Sequence, residues 1–132
     1  MNMKMDVSIR AKRILKPMGR FRLLNEPLDE ENIGALKDGE VLIGVYENDD
    51  GGNIFVTNRG LLIRSKKLDK HILFSDISNV RSPSDKQGDY TILLVLANGV
   101  EVPLEVRGTR GRFSDVFEFT RFLDRVMSDL DS

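Results

Sequence analysis

A chain of 132 residues with 40% apolar side chains is long enough for one domain that buries about two thirds of its unfolded surface, and too rich in core-forming residues to stay disordered. It has no cysteine and one histidine, which excludes disulfides, thiolate metal sites, cysteine nucleophiles and histidine clusters for zinc. A net charge of −1, a pI near 5.9 and the absence of tryptophan argue against a nucleic-acid-binding domain.

The charge is nevertheless segregated. Residues 1–28 carry a balance of +5, residues 29–50 a balance of −7 and residues 59–70 a balance of +4, a layout of solvated faces that also steers charged partners. The first of these blocks has no continuous apolar region of a secretory signal, and no run in the chain approaches the roughly 20 apolar residues of a membrane span. A cytoplasmic location is expected.

In chain order, Val7, Ala11, Ile14 and Met18 recur at helical spacing, while Val7, Ile9 and Ala11 alternate as in a strand. Helix is the favoured reading for residues 5–18, with Pro17 ending it. Arg10, Lys12, Arg13, Lys16, Arg20 and Arg22 are interleaved with Ile9, Ile14, Leu15 and Phe21. Such a segment either lies on an anionic membrane or packs on the chain's own acidic block, and the second is preferred. A short helix is expected near 29–37, with Asp29, Glu30 and Glu31 in its first turn and Asp38-Gly39 ending it. Residues 1–38 thus read as a basic N-terminal extension, and residues 39–132 as the main domain.

From Val41 onward the pattern is short strands separated by turn chemistry. "VLIGVY" (41–46) and "NIFVT" (53–57) flank the acidic loop Glu47-Asn48-Asp49-Asp50-Gly51-Gly52, and "GLLIR" (60–64) follows the tight reversal at Asn58-Arg59. "HILF" (71–74) and "ISNV" (77–80) come next, then a polar loop with Pro83, Asp85 and Gly88. "YTILLVLANGVEVPLEV" (90–106) is the clearest hairpin, with Asn98-Gly99 expected to supply the positive φ values of a two-residue turn. Val100, Val102, Leu104 and Val106 alternate with Glu101, Pro103 and Glu105, giving one buried face, and Pro103 marks an edge strand or a bulge. The chain ends on a helix in which Val116, Phe119, Leu123, Val126, Met127 and Leu130 share a face. Ser114 is placed to cap it, Asp115 suits its positive dipole end, and Phe113, Phe117 and Phe122 widen the apolar arc into that of a core helix.

"FVTNRGLLI" (55–63) resembles the "TN-x-RL" hairpin of bacterial pleckstrin-homology and GRAM-like domains, and "HILFSDISNV" (71–80) is similar to their next element. "ANGVEVPLEV" and the Phe-rich terminal helix match the last hairpin and capping helix, so the similarity spans roughly residues 39–130. One departure is Gly60, which intervenes where the family has an apolar residue after the basic one. The resemblance implies a mainly β, partly open antiparallel barrel of about seven strands, capped by one C-terminal helix. It also implies a non-catalytic adapter of phosphoinositides, peptides or proteins, and fold does not settle which.

Basic residues beside the first hairpin loop grip phosphate in the lipid-binding members. Here that loop carries Glu47, Asp49 and Asp50, which repel a phosphorylated ring. Asn48, Asp49 and Asp50 are hard oxygen ligands for calcium, but the EF-hand spacing is absent and a plain turn is the preferred reading. Two basic sets are candidate anion or partner contacts: Arg64, Lys66, Lys67 and Lys70 after the third strand, and Arg107, Arg110 and Arg112 before the last helix. The second set lacks the Gly-Lys-Ser/Thr ending of a nucleotide loop. In "YTILLVL", Leu93 and Val95 are as apolar as Ile92 and Leu94, so both strand faces want cover, and Leu93 and Val95 are the candidate interface.

Catalysis gets little support. His71 is the sole histidine, lies in a strand and has no nucleophile elbow beside it, so a structural role is expected, with no cofactor and no metal. The sequence therefore predicts a non-enzymatic protein-interaction module that binds a protein partner or itself. The alternative is a peripheral membrane adapter using the N-terminal basic segment and the 64–70 loop.

Overall fold

Each apolar run bounded by turn residues becomes a strand in the computed structural model, which describes residues 6–24, 40–48, 51–66, 68–81, 91–107 and 114–130. The expected helix near 29–37 and the polar loop around Pro83 lie outside the described residues. The chain opens with α1 (Val7–Arg10), continued by one π-helical segment over Ala11–Leu15. Strands β1 (Phe21–Leu23), β2 (Leu42–Glu47), β3 (Asn53–Thr57), β4 (Gly60–Arg64) and β5 (Asp69–Leu73) form one antiparallel sheet in that order. A 3-10 turn at Phe74–Asp76 leads into β6 (Ile77–Arg81), β7 (Thr91–Leu96) and β8 (Glu101–Glu105), a second antiparallel sheet. Helix α2 (Ser114–Leu130) closes the chain. The fold is mainly β, and among the described residues its two sheets of five and three strands do not close into a barrel.

One core joins all of these elements. Ile54, Val56, Leu61 and Ile63 of the larger sheet meet Ile92, Leu94, Val102 and Leu104 of the smaller one, and Val116, Phe119, Phe122, Leu123 and Val126 of α2 complete the interior. Each such side chain contributes about 1.5–3 kcal/mol on leaving water. Phe119 makes edge-to-face contacts with Tyr46 at 5.9 Å and with Phe122 at 5.8 Å between ring centroids, the arrangement that ring quadrupoles favour. The Tyr46 hydroxyl, buried in this cluster, donates to Asp115 at 2.7 Å, so the acid at the start of α2 also satisfies a buried donor.

The N-terminal segment shares this core. Asp6 accepts the Ser8 N–H as an N-cap, Val7, Ala11, Ile14, Leu15 and Met18 are buried in the main cluster, and the helical stretch ends just before Pro17. Residues 21–23 then add β1, a strand that was not foreseen, to the edge of the larger sheet, with Phe21 opposite Tyr46 and Leu23 opposite Gly44.

Three local expectations are corrected. Phe117, counted among the core positions of the last helix, is 54% exposed, whereas Phe122 is fully buried. Val100 is exposed because it belongs to the turn and not to β8. That turn holds three residues, not two. Gly99 donates to Leu96 O, Leu96 donates to Val100 O, and Gly99 alone has positive φ, +86°, the geometry of a type I turn closed by a glycine bulge. The described residues of the first hairpin show the same bonds: Gly51 donates to Asn48 O, Asn48 donates to Gly52 O, and Gly51 has φ +91°. Pro103 does lie on an edge strand, since β8 borders the smaller sheet.

Gly60 has a steric reason. It pairs with Leu73 across β4 and β5, and a Cβ there would run into the Ile72 carbonyl oxygen. Gly60→Ala is expected to cost about 1–3 kcal/mol through this overlap. Gly19, where a Cβ meets nothing within 4 Å, should accept alanine with a change within about 0.5 kcal/mol. Urea midpoints of the two variants check the contrast.

Candidate functional site

The loops at one end of the larger sheet surround a cleft of about 570 Å³ whose lining includes Gly51, Gly52, Arg64, Lys66, Asp69 and Glu105. Arg64 and Lys66, both singled out in the sequence, meet here because β4 runs directly into the turn at residues 65–68. Ser65 holds that turn by donating its N–H to Leu68 O at 2.8 Å. Arg64 also borders a second cleft of about 380 Å³ on the sheet's outer face, beside Val45 and Phe55. The guanidinium gives its Nη1 to Asp69 at 3.1 Å, while its buried Nε has no partner among the described residues. Among the described residues two cations thus share the first cleft with two carboxylates, and this balance lowers their pull on a phosphorylated ligand.

The other basic candidates are dispersed. Lys70 pairs with Ile63, whose side chain is buried in the main core, so it stands on the opposite sheet face from Arg64. Arg107 lies just past β8, where its backbone N–H donates to Asn48 Oδ1 at 2.6 Å. Lys67, Arg110 and Arg112 lie outside the described residues.

Asn48 does something that the sequence did not signal. Its Nδ2 donates to Glu105 O at 3.0 Å while its Oδ1 accepts from Arg107, so one buried amide ties the first hairpin to the end of β8. Asn48 is thus engaged within the fold on both sides of its amide. Asp49 and Asp50 lie outside the described residues, and among the described residues no group of three acidic or histidine side chains is placed to hold a metal.

His71 sits on the outer face of the larger sheet, opposite Leu62. Its Nε2 is hydrogen-bonded to Glu40 Oε2 at 2.9 Å, and the same oxygen accepts the Thr57 hydroxyl at 2.5 Å. Thr57 in turn accepts the N–H groups of Gly60 at 2.8 Å and Arg59 at 3.1 Å. The buried Glu40 carboxylate thus locks the β3–β4 turn through one hydroxyl and anchors β5 through the imidazole. Among the described residues no serine or threonine hydroxyl is bonded to His71, and Thr57 has no exposed surface through which to meet a substrate.

The candidate interface occupies the outer face of the smaller sheet. Ile92 and Leu94 point into the core, so Leu93 and Val95 point away from it and are half-buried. Leu93 lies opposite Pro103 and Arg81, and Val95 lies opposite Glu101 and Asn79. Arg81 and Glu101 approach to 4.0 Å at the margin of this strip.

The basic N-terminal residues divide into two groups. Arg10 clasps buried Asp129 of α2 with two bonds, at 2.9 and 3.0 Å. The hydrogen bond to that carboxylate holds the guanidinium above its ordinary pKa, against the opposing effect of burial. Arg20 donates to the Glu47 carbonyl at 3.1 Å, and Arg22 meets the Glu47 carboxylate at 2.6 Å. Lys12, Arg13 and Lys16 are exposed. Among the described residues no helix is long and apolar enough to cross a membrane.

No protein-family model, curated protein or solved structure matched the chain in comparison.

The turn lock is directly testable. Thr57→Val keeps the shape but removes a hydroxyl bonded to Glu40 and to two backbone amides. An expected loss of about 1–3 kcal/mol should appear as a lower urea midpoint with an unchanged slope.

Proposed function

We propose that the chain is a non-enzymatic protein-interaction module that uses the outer face of the smaller sheet around Leu93 and Val95. The observation that carries this reading is the composition of β7. Its inward residues Ile92 and Leu94 are fully buried, and the outward Leu93 and Val95 are just as apolar yet only half-covered. The strip has an apolar centre, an exposed proline beside it and the Arg81–Glu101 pair at its margin, the layout of a small recognition patch with a polar rim.

The strand order adds support. Four consecutive strands, β2 to β5, are followed by a three-stranded sheet and a terminal helix, as the pleckstrin-homology-like reading of the sequence requires. In that reading α1 and β1 are additions that extend the first sheet, and the tight β3–β4 turn is the "TN" hairpin from which the resemblance was drawn. The mixed charge of the Arg64 cleft favours a protein partner over a phosphoinositide headgroup at that end.

A charge placed at the centre of such a patch should weaken association by at least about thirtyfold, the scale of a hot-spot loss. Light scattering over a concentration series reads self-association, and pull-down reads partner capture, for the wild type, Leu93→Glu, Val95→Glu and the control Val41→Glu. Val41 is 61% exposed at a different place. The reading requires association that is lost in the first two variants and kept in the control. Association indifferent to Leu93 and Val95 contradicts it.

A further inference from the structure

We propose that the outward face of the N-terminal helix, bearing Ile9, Lys12, Arg13 and Lys16, docks on an anionic lipid surface. These four positions alternate with the buried ones along α1 and the π-helical turn that continues it, and all four are exposed. The opposite row, Val7, Ala11, Ile14, Leu15 and Met18, is buried in the main core. Because that row is fixed, the helix cannot roll and the cations stand in a set direction.

The cations of this segment are partitioned by role. Arg10 is taken by Asp129, and Arg20 and Arg22 by Glu47. Lys12, Arg13 and Lys16 make no hydrogen bond or ion pair with a described residue. Bonds within the fold therefore occupy Arg10, Arg20 and Arg22, of which Arg22 pairs with a carboxylate of the 29–50 block, and Lys12, Arg13 and Lys16 are displayed.

A bilayer is the occupant that fits. Ile9, 40% exposed, stands on the same outward face as the three cations, and an apolar side chain beside lysines suits the headgroup boundary. The whole chain is slightly acidic, so attraction is confined to this face and a surface met from one side satisfies it. The face is independent of the Leu93 strip. Helix α2 packs on β6 and β7 from the core side and on the N-terminal helix, whereas Leu93 and Val95 point away from the core. A bilayer and a protein partner can therefore be held together.

Each cation near an anionic leaflet is worth about fivefold in binding, so the three together supply on the order of a hundredfold, much reduced in high salt because the screening length falls from about 10 Å at 0.1 M to about 3 Å at 1 M. The test is flotation of the full chain with phosphatidylserine-containing vesicles and with pure phosphatidylcholine vesicles, at low and high salt. Lys12→Gln/Arg13→Gln/Lys16→Gln is compared with Arg59→Gln/Arg121→Gln/Arg125→Gln, which removes the same charge from exposed positions elsewhere, and circular dichroism confirms that each is folded. The proposal expects salt-sensitive binding to the anionic vesicles only, lost about a hundredfold in the first variant and largely kept in the second. Absence of wild-type binding at low salt, or equal loss in both variants, overturns it. Retention on heparin through Lys12, Arg13 and Lys16 without vesicle binding also overturns it, and assigns these residues to a soluble polyanion.

Discussion

Burial of one row of the N-terminal helix in the common core is the constraint on which the rest of the molecule depends. Val7, Ala11, Ile14, Leu15 and Met18 enter the cluster that also holds Phe119, Phe122 and Val126 of α2, and the Arg10–Asp129 pair pins the two helices at that contact. From there the chain can only turn at Pro17 and run back as β1 beside β2. This sets the first sheet at five strands and brings Arg20 and Arg22 to Glu47. It also decides which cations are spent inside the fold and which face outward.

The two sheets share a core, and at one end a side chain joins them where, among the described residues, no ladder runs between them. Asn48 substitutes for a backbone pairing by offering its amide to Glu105 O and its carbonyl to the Arg107 N–H. A buried amide satisfied on both sides behaves as a peptide unit would. At the other end of the larger sheet, Glu40 gathers Thr57 and His71, so a turn, a strand and the segment entering β2 are tied by one carboxylate. Both devices hold hairpins in place through buried polar side chains.

Most strands and the terminal helix were legible because their signal is local. The alternation of Val102 and Leu104 with Glu101 and Pro103, the glycines at 51 and 99, and the spacing of Val116, Phe119, Leu123 and Val126 each encode one element without help from the rest. What stayed hidden depends on distant partners. The three residues of β1 are too few to show a period, and they form a strand only because β2 offers an edge. Asn48 reads as one more polar turn residue until Glu105 and Arg107 come beside it. Glu40 is indistinguishable within an acidic run until Thr57 and His71 close around it. Phe117 followed the apolar count of its helix but not its angle, since the buried arc of α2 runs through Val116, Phe119 and Leu123 on another side. Of the candidate site residues, Arg64 and Lys66 were brought together, while Leu93 and Val95 kept the outward position that the doubly apolar strand had implied.

The most direct test of the account is native-state hydrogen exchange, comparing the amide of Lys16, which bonds to Ala11 O, with those of Ile54, Leu61 and Leu94 in the two sheets. If the N-terminal helix is part of the one core, the Lys16 amide should exchange with an opening free energy approaching that of the strands, through a common unfolding event. Exchange of Lys16 at a far lower free energy, with the strands still protected, would show that the helix opens by itself and would contradict the claim that its buried row fixes the rest.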